Sequence, residues 1–237
     1  MNPLFFGLFI LLRPRLWALA LKGVYLPVFV QYMWLAKFNI RTVIDVGAYR
    51  GDVSKALRVL FPEASMYAFE PVEENYETSR RNLSNSNVHL SRLALDQKPG
   101  RSKLYVHTNR ALSSLLPSTD SPLDRTTQTP VTTLDRFFGG RKLRGDVFLK
   151  IDTQGNEDRI LKGGSKILPH VSIVHIEISF ERFYQSQVLF EDMYKLLTRF
   201  GFRFVGQAHE AHFYPLFHLE PQVNCVFVKK KFRFFKT

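Results

Sequence analysis

Cysteine is almost absent: Cys225 is the single one in 237 residues. That excludes a disulfide framework within the chain and a multi-cysteine zinc site, and it suits a reducing compartment such as the cytoplasm. Acid is missing from the first 44 residues, where Arg13, Arg15, Lys22, Lys37 and Arg41 stand. Clean apolar runs of the roughly 20 residues that span a bilayer are missing too. "PLFFGLFILL" ends at Arg13, Pro14 and Arg15, and "LWALALKGVYLPVFVQYMWLA" contains Lys22, Pro27 and Gln31. A secretory leader is not expected, because the positive charges follow the apolar run and no small-residue cleavage site comes after it. No internal repeat is visible.

What is present favours a folded enzyme-sized unit. Apolar residues make up 45% and aromatics 14%, enough for a sizeable core. The net charge of +12 favours anionic partners: nucleic acid, acidic lipid or anionic small molecules. Both ends are basic and apolar, the last nine residues reading "KKKFRFFKT". The expected organisation is a segment 1–38, helical and either packed on the domain or lying at a membrane interface, followed by one α/β domain over 39–237. Peripheral attachment at the inner face of a membrane stays open on this reading, and so does the oligomeric state.

From residue 42 the pattern alternates. "TVIDV" reads as a buried strand, and "DVSKALRVLF" as a helix with Val53, Ala56, Leu57 and Leu60 on one face, stopped by Pro62. "SMYAFE" is a second strand, "VEENYETSRRNL" a polar helix, and "VHLSRLAL" a third strand ending at Asp96. "KPGRSKLYVH" reads as a turn with a short extra strand, and residues 108–128 as a long loop. "DVFLKID" is a fourth strand, "NEDRILKGGSKIL" a helix weakened by two glycines, and "VSIVHIEIS" a fifth strand. "LFEDMYKLLTRF" is an amphipathic helix closed by Gly201, and "FRFVGQ" and "VNCVFVKK" are two last strands paired antiparallel. Alternating β and α units imply a mostly parallel, Rossmann-like sheet with helices on both faces.

The stretch "DVGAYRGD", residues 45–52, sits where such a sheet binds ligands, beyond a strand's carboxyl end. Dinucleotide enzymes use G-x-G-x-x-G there to meet a pyrophosphate. This chain has G-x-x-x-G, with Asp45 before it and Asp52 after it. Carboxylates repel a pyrophosphate and suit a cation. S-adenosyl-L-methionine carries a sulfonium, an ammonium and a ribose without phosphate. Glu70, about 20 residues beyond the turn, has the spacing of an acid that holds ribose hydroxyls. The candidate cofactor residues are therefore Asp45, Gly47, Ala48, Tyr49, Gly51, Asp52, Glu70, Pro71 and Asp96.

"VIDVGAYRGD", "YAFEPVEENYE", "SSLLPS", "VTTLDRFF", "FLKIDTQGNEDRILKGG" and "IVHIEIS" follow in order. With these the sequence resembles the FkbM family of S-adenosylmethionine-dependent methyltransferases over about residues 40–230. "KIDTQGNEDRILKGG" carries the resemblance most specifically, as a Lys-Ile-Asp-x-x-Gly-x-Glu-type signature. The resemblance implies a class I methyltransferase fold and O-methylation of a sugar, a glycan or another small-molecule hydroxyl.

Such chemistry needs a base near the acceptor and tight positioning. Asp152, at the tip of the fourth strand, is the first candidate, with Lys150 on the same side of that strand and His175 and Glu177 on the next. Ser113 and Ser114 in the long loop, with Gln154 and Glu157 after Asp152, are candidate acceptor contacts. Each has a plainer role open to it: turn chemistry for Asp152, a helix N-terminal acid for Glu157, a core histidine for His175, a buried ion pair for Lys150. Asp152, Glu157 and Glu177 lack histidine-rich ligand spacing, so no metal is expected. A nucleic-acid amine methyltransferase is disfavoured because "DTQG" stands where an Asn-Pro-Pro-aromatic motif belongs. A cytosine-C5 enzyme needs a cysteine nearer the site than Cys225. An RNA ribose 2′-hydroxyl methyltransferase and a catalytically degenerate, membrane-associated scaffold are the remaining alternatives; no RNA-binding module is recognisable.

Overall fold

The computed structural model describes residues 13–208 and 221–234. The apolar run over 3–12 and the last three residues of the basic tail lie outside them. The chain begins with helices α1 (Pro14–Leu21) and α2 (Leu26–Tyr32) and a 3-10 turn (Met33–Lys37). Then come β1 (Ile40–Val46), α3 (Asp52–Leu60), β2 (Ser65–Phe69), α4 (Glu73–Asn82), β3 (His89–Ser91), β4 (Ala94–Leu95), β5 (Gly100–His107) and β6 (Leu123–Thr132). α5 (Leu134–Phe138), β7 (Asp146–Ile151), α6 (Glu157–Lys162), β8 (Ile173–Ser179), α7 (Phe190–Arg199), β9 (Phe202–Gln207) and β10 (Gln222–Lys229) follow.

Seven strands form the main sheet in the order β3-β2-β1-β7-β8-β10-β9. β10 alone runs antiparallel to its neighbours, between β8 and β9. β7 and β8 are apolar almost throughout because both faces are covered. Strand parity sorts the side chains. Ile44, Val46, Leu149, Ile151, Val174 and Ile176 enter one core with α5, α6 and α7. Val43, Phe148 and Ile173 enter the other with Tyr32, Leu35 and Leu57.

The described part of the N-terminal segment thus packs on the sheet. Leu16, Val24 and Phe29 close on Ala56 of α3, and Tyr32 meets Phe148 edge-on at 6.1 Å. The start of the basic tail returns to the same corner, where the Phe232 and Phe234 rings lie tilted against Phe38 at 5.3 and 5.2 Å and Lys37 lies 4.6 Å over the Phe234 ring.

Three expected elements differ. The expected third strand divides: β3 joins the main sheet, while β4 pairs with β6 in a separate sheet ordered β4-β6-β5. The expected loop at 108–128 holds a 3-10 turn (Arg110–Leu112) and the first half of β6, which pairs antiparallel with β5. The helix expected to continue to Leu168 ends at Lys162, because Gly163 and Gly164 are contact points. A Cβ at Gly163 would overlap the Asp96 carbonyl, and one at Gly164 would lie 2.8 Å from Leu134.

Candidate active site at the carboxyl ends of the strands

The tips of β1, β2 and β7 meet where the strand order reverses, and a cavity of about 160 Å³ opens there. Its walls include Gly47, Tyr49, Phe69, Glu70, Leu95, Ser113, Asp152 and Asn156. The turn after β1 is shaped by close approach. Gly47 has φ +79°, and a Cβ there would overlap the Asp152 carbonyl oxygen. Its N–H and that of Ala48 both donate to the Phe69 carbonyl at 3.0 Å. Gly51, with φ +85°, caps α3, and a Cβ would press on Ser79 and Leu83. The two glycines therefore bring β1, β2, β7 and α4 together.

Glu70 faces the cavity from the tip of β2. Its Oε2 accepts from the Tyr49 N–H at 2.9 Å, and its Oε1 accepts from the Val72 N–H at 3.0 Å and Asn75 Nδ2 at 3.3 Å. Burial raises its pKa to about 7, against the pull of these donors. Pro71 lines the cavity beside it.

Asp45 is set behind the cavity rather than at its mouth. It shares the odd-numbered face of β1 with Val43 and is fully buried. Its Oδ2 accepts from Ser54 Oγ at 2.7 Å, and its Oδ1 lies 3.5 Å from Lys150 Nζ. Burial pushes its carboxyl up, and the Lys150 charge and Ser54 partly offset that. Lys150, the next residue across the sheet, donates to the Gly47 carbonyl at 2.8 Å and sits 3.3 Å from Asp152 Oδ2. Burial alone would lower its pKa, but Asp152 and Asp45 hold it above the usual lysine range.

Asp152 reaches the cavity with a side chain one-third exposed. Its Oδ1 accepts from Gln154 Nε2 at 3.1 Å, and the same amide donates to Glu177 Oε2 at 3.0 Å. Gln154 stands in the left-handed region at φ +61°. Tyr184 fixes it, donating to Gln154 Oε1 at 3.1 Å. Asp152, Gln154 and Glu177 thus form one polar cluster at the rim.

Other expected residues fall elsewhere. His175 lies next to Lys150 on the α2 side, its ring 5.1 Å from that of Tyr32. Neither ring nitrogen has a hydrogen-bond partner, and burial together with Lys150 pushes its pKa down to about 3. It is a neutral core residue outside the cavity wall, which corrects its expected role as a base. Glu157 is buried and accepts from the Thr153 and Gly155 N–H groups at 2.8 and 3.2 Å, so it pins the turn after β7 instead of facing an acceptor. Asp96 accepts from the N–H of Gln97, and Asp52 opens α3; neither lines the cavity. Ser113 and Ser114 do line it, but their hydroxyls serve the loop: Ser113 Oγ accepts from the His107 N–H, and Ser114 Oγ donates to the Gln154 carbonyl at 2.6 Å. Among the described residues no cluster of histidine, cysteine and carboxylate could hold a metal ion.

Sequence reasoning missed Asn156, Asn75 and Tyr184. Asn156 is buried in the cavity wall; its Nδ2 donates to the Leu95 carbonyl at 2.9 Å, and its Oδ1 has no partner. Its place in the signature "DTQGNED" was the available signal.

Residues 45–204 match the model of the family described as Methyltransferase FkbM domain. Among solved structures, the fold is shared with a methyltransferase FkbM from Methylobacillus flagellatus KT, at 17% identity and a TM-score of 0.51, over 80% of this chain and 43% of that one. This chain therefore spans less than half the length of that protein. It is also shared with a fibrillarin pre-rRNA processing protein from Methanococcus jannaschii, at 12% identity and a TM-score of 0.50, over 81% of this chain and 68% of that one. No curated protein sequence matches. The architecture is the Rossmann-like class I methyltransferase sheet expected from the sequence.

Proposed function

We propose that this chain, which belongs to the FkbM family of S-adenosylmethionine-dependent methyltransferases, methylates a hydroxyl of a sugar, a glycan or another small molecule. The cavity residues fit the cofactor chemically. Glu70 offers a carboxylate to ribose hydroxyls, Phe69 and Leu95 offer apolar surface to a base, and Asn156 Oδ1 is a buried acceptor left over for an exocyclic amine. The cavity's Arg110 is tied to Asp124 at 2.8 Å, which leaves Glu70 and Asp152 to set a negative field suited to a sulfonium and an ammonium. Bound there, S-adenosylmethionine supplies an electrophilic methyl carbon.

The observation that carries the reaction type is Asp152. Its carboxylate is held from one side by Lys150 and from the other by Gln154, and remains one-third exposed. A carboxylate so placed accepts the proton of an acceptor hydroxyl at Oδ2, while Gln154 keeps Oδ1 and Glu177 in register. Lys150 stays charged and carries no proton traffic; it sits 3.3 Å from Asp152 Oδ2 and ties β7 to the Gly47 turn. Ser113 and Gln154 border the space an acceptor would enter, and Glu177 stands behind Gln154 as its hydrogen-bond partner.

The test is methyl transfer from labelled cofactor to a panel of sugars, polyols, amines and short RNA. Asp152→Asn should lower kcat by about 10²–10⁴-fold, the usual worth of a general base, while cofactor affinity changes only a few-fold. Transfer to amines alone, or an Asp152→Asn enzyme with unchanged kcat, would contradict the assignment.

A further inference from the structure

We propose that α1 and the turn after it dock this protein on an anionic membrane surface, with Trp17, Leu21 and Tyr25 entering the interface. The inference does not depend on the methyl-transfer reading.

α1 is apolar on two sides. Its inner side, Leu16 and Leu19, packs towards Phe29 and Ala56. Its outer side carries Trp17 at 48% exposure and, one turn on, Leu21 at 90%. The turn through Gly23 then presents Tyr25 at 56%. Aromatic and leucine side chains of this kind partition into the headgroup region of a bilayer. A core helix of a water-facing domain would place polar residues there.

Charge selects the partner. Residues 1–44 contain no acid and five Lys and Arg residues, and Arg13 and Lys22, at the two ends of α1, are exposed. Such a surface is attracted to acidic lipid and is indifferent to a neutral one. The chain that precedes α1, "MNPLFFGLFILL", is apolar as well and carries no side-chain charge. α1 has eight residues, about 12 Å at 1.5 Å per residue, so contact is interfacial. Among the described residues no helix is long and apolar enough to cross a membrane.

The experiment is flotation of the full chain with phosphatidylcholine vesicles, with and without phosphatidylserine, at low and high salt. The proposal predicts flotation with the acidic vesicles that weakens at high salt, and a blue shift of tryptophan emission that Trp17→Phe removes. Leu21→Glu with Tyr25→Glu should lower the partition coefficient at least about 10-fold. The melting temperature should stay the same, because both side chains face outward. Three results would overturn it. One is no flotation, or equal flotation on neutral vesicles. Another is undiminished flotation of the double variant, which would assign binding to residues 1–12. The third is a lipid-free dimer that the double variant dissolves, which would make the face a contact between two copies of this chain.

Discussion

Glu70 is where residue chemistry becomes measurable. Its carboxyl titrates at about 7 in the folded chain, because burial outweighs the three donors that it accepts from. Unfolded, it would titrate near 4.5. The folded state therefore holds the proton more tightly, so the stability this group lends is complete below about pH 4.5 and is lost as pH rises through about 7. The span corresponds to roughly 3 kcal/mol. Urea unfolding across that window should show the decline, and Glu70→Gln should flatten it. On the proposed reading, in which the Glu70 anion accepts from ribose hydroxyls, cofactor affinity runs the other way and should fall about 10-fold from pH 8 to pH 6. Gly47→Ala is a second residue-scale case. The left-handed backbone and the overlap with the Asp152 carbonyl predict a loss of about 3 kcal/mol or more in the same unfolding measurement.

The glycine turn and the spaced acid at Glu70 were legible because both are local in sequence. Asp45 was misplaced for a reason also written in the sequence. It shares parity with Val43, so it points into the α2–α3 face while Ile44 and Val46 point away from it. Lys150 and His175 follow the same rule one strand and two strands over. Asn75 and Tyr184 were invisible because they reach the site from separate elements.

At the scale of elements, the β5–β6 hairpin is tied to the turn after β7 by few bonds. Ser114 Oγ donates to the Gln154 carbonyl, and the single Tyr184 O–H is shared between the Leu112 carbonyl at 2.9 Å and Gln154 Oε1 at 3.1 Å. Tyr184→Phe removes the one donor that these two acceptors share and should cost about 1–3 kcal/mol of stability. It should also lower kcat, because Gln154 then no longer holds Asp152 and Glu177 from a fixed position; cofactor affinity should be nearly unchanged. Equal losses in kcat and affinity in steady-state kinetics and titration would point to general disruption instead. This hairpin was the least legible part of the fold. The first half of β6, Leu123–Gln128, is exposed throughout and rich in Thr and charge, so it has no alternating apolar pattern to reveal a strand. The two-faced strands β1, β7 and β8 were legible because their apolar runs are forced by helices on both sides.

Across the whole molecule, the sheet order and the helices on two faces bring residues between Val46 and Asn156, from the strand tips and the loop after β5, to one cavity. The N-terminal helices belong to this unit: Tyr32 closes the core over Phe148 and His175. Cys225 offers a report on the unit as a whole. It is fully buried in β10, and burial raises its thiol to about 12. Thiol labelling should therefore be undetectable in the native protein and should appear at the global unfolding midpoint. Labelling well below that midpoint would show that β9 and β10 open separately.

The cavity between Glu70 and Asp152 is suited to a cationic nucleoside and not to a dinucleotide. Calorimetric titration of S-adenosylmethionine at pH 8, beside NAD and the Glu70→Ala variant, tests it most directly. Saturable binding of S-adenosylmethionine is expected, with at least about 10-fold weaker binding by Glu70→Ala and no heat from NAD. Binding of NAD, or S-adenosylmethionine affinity untouched by Glu70→Ala, would contradict it.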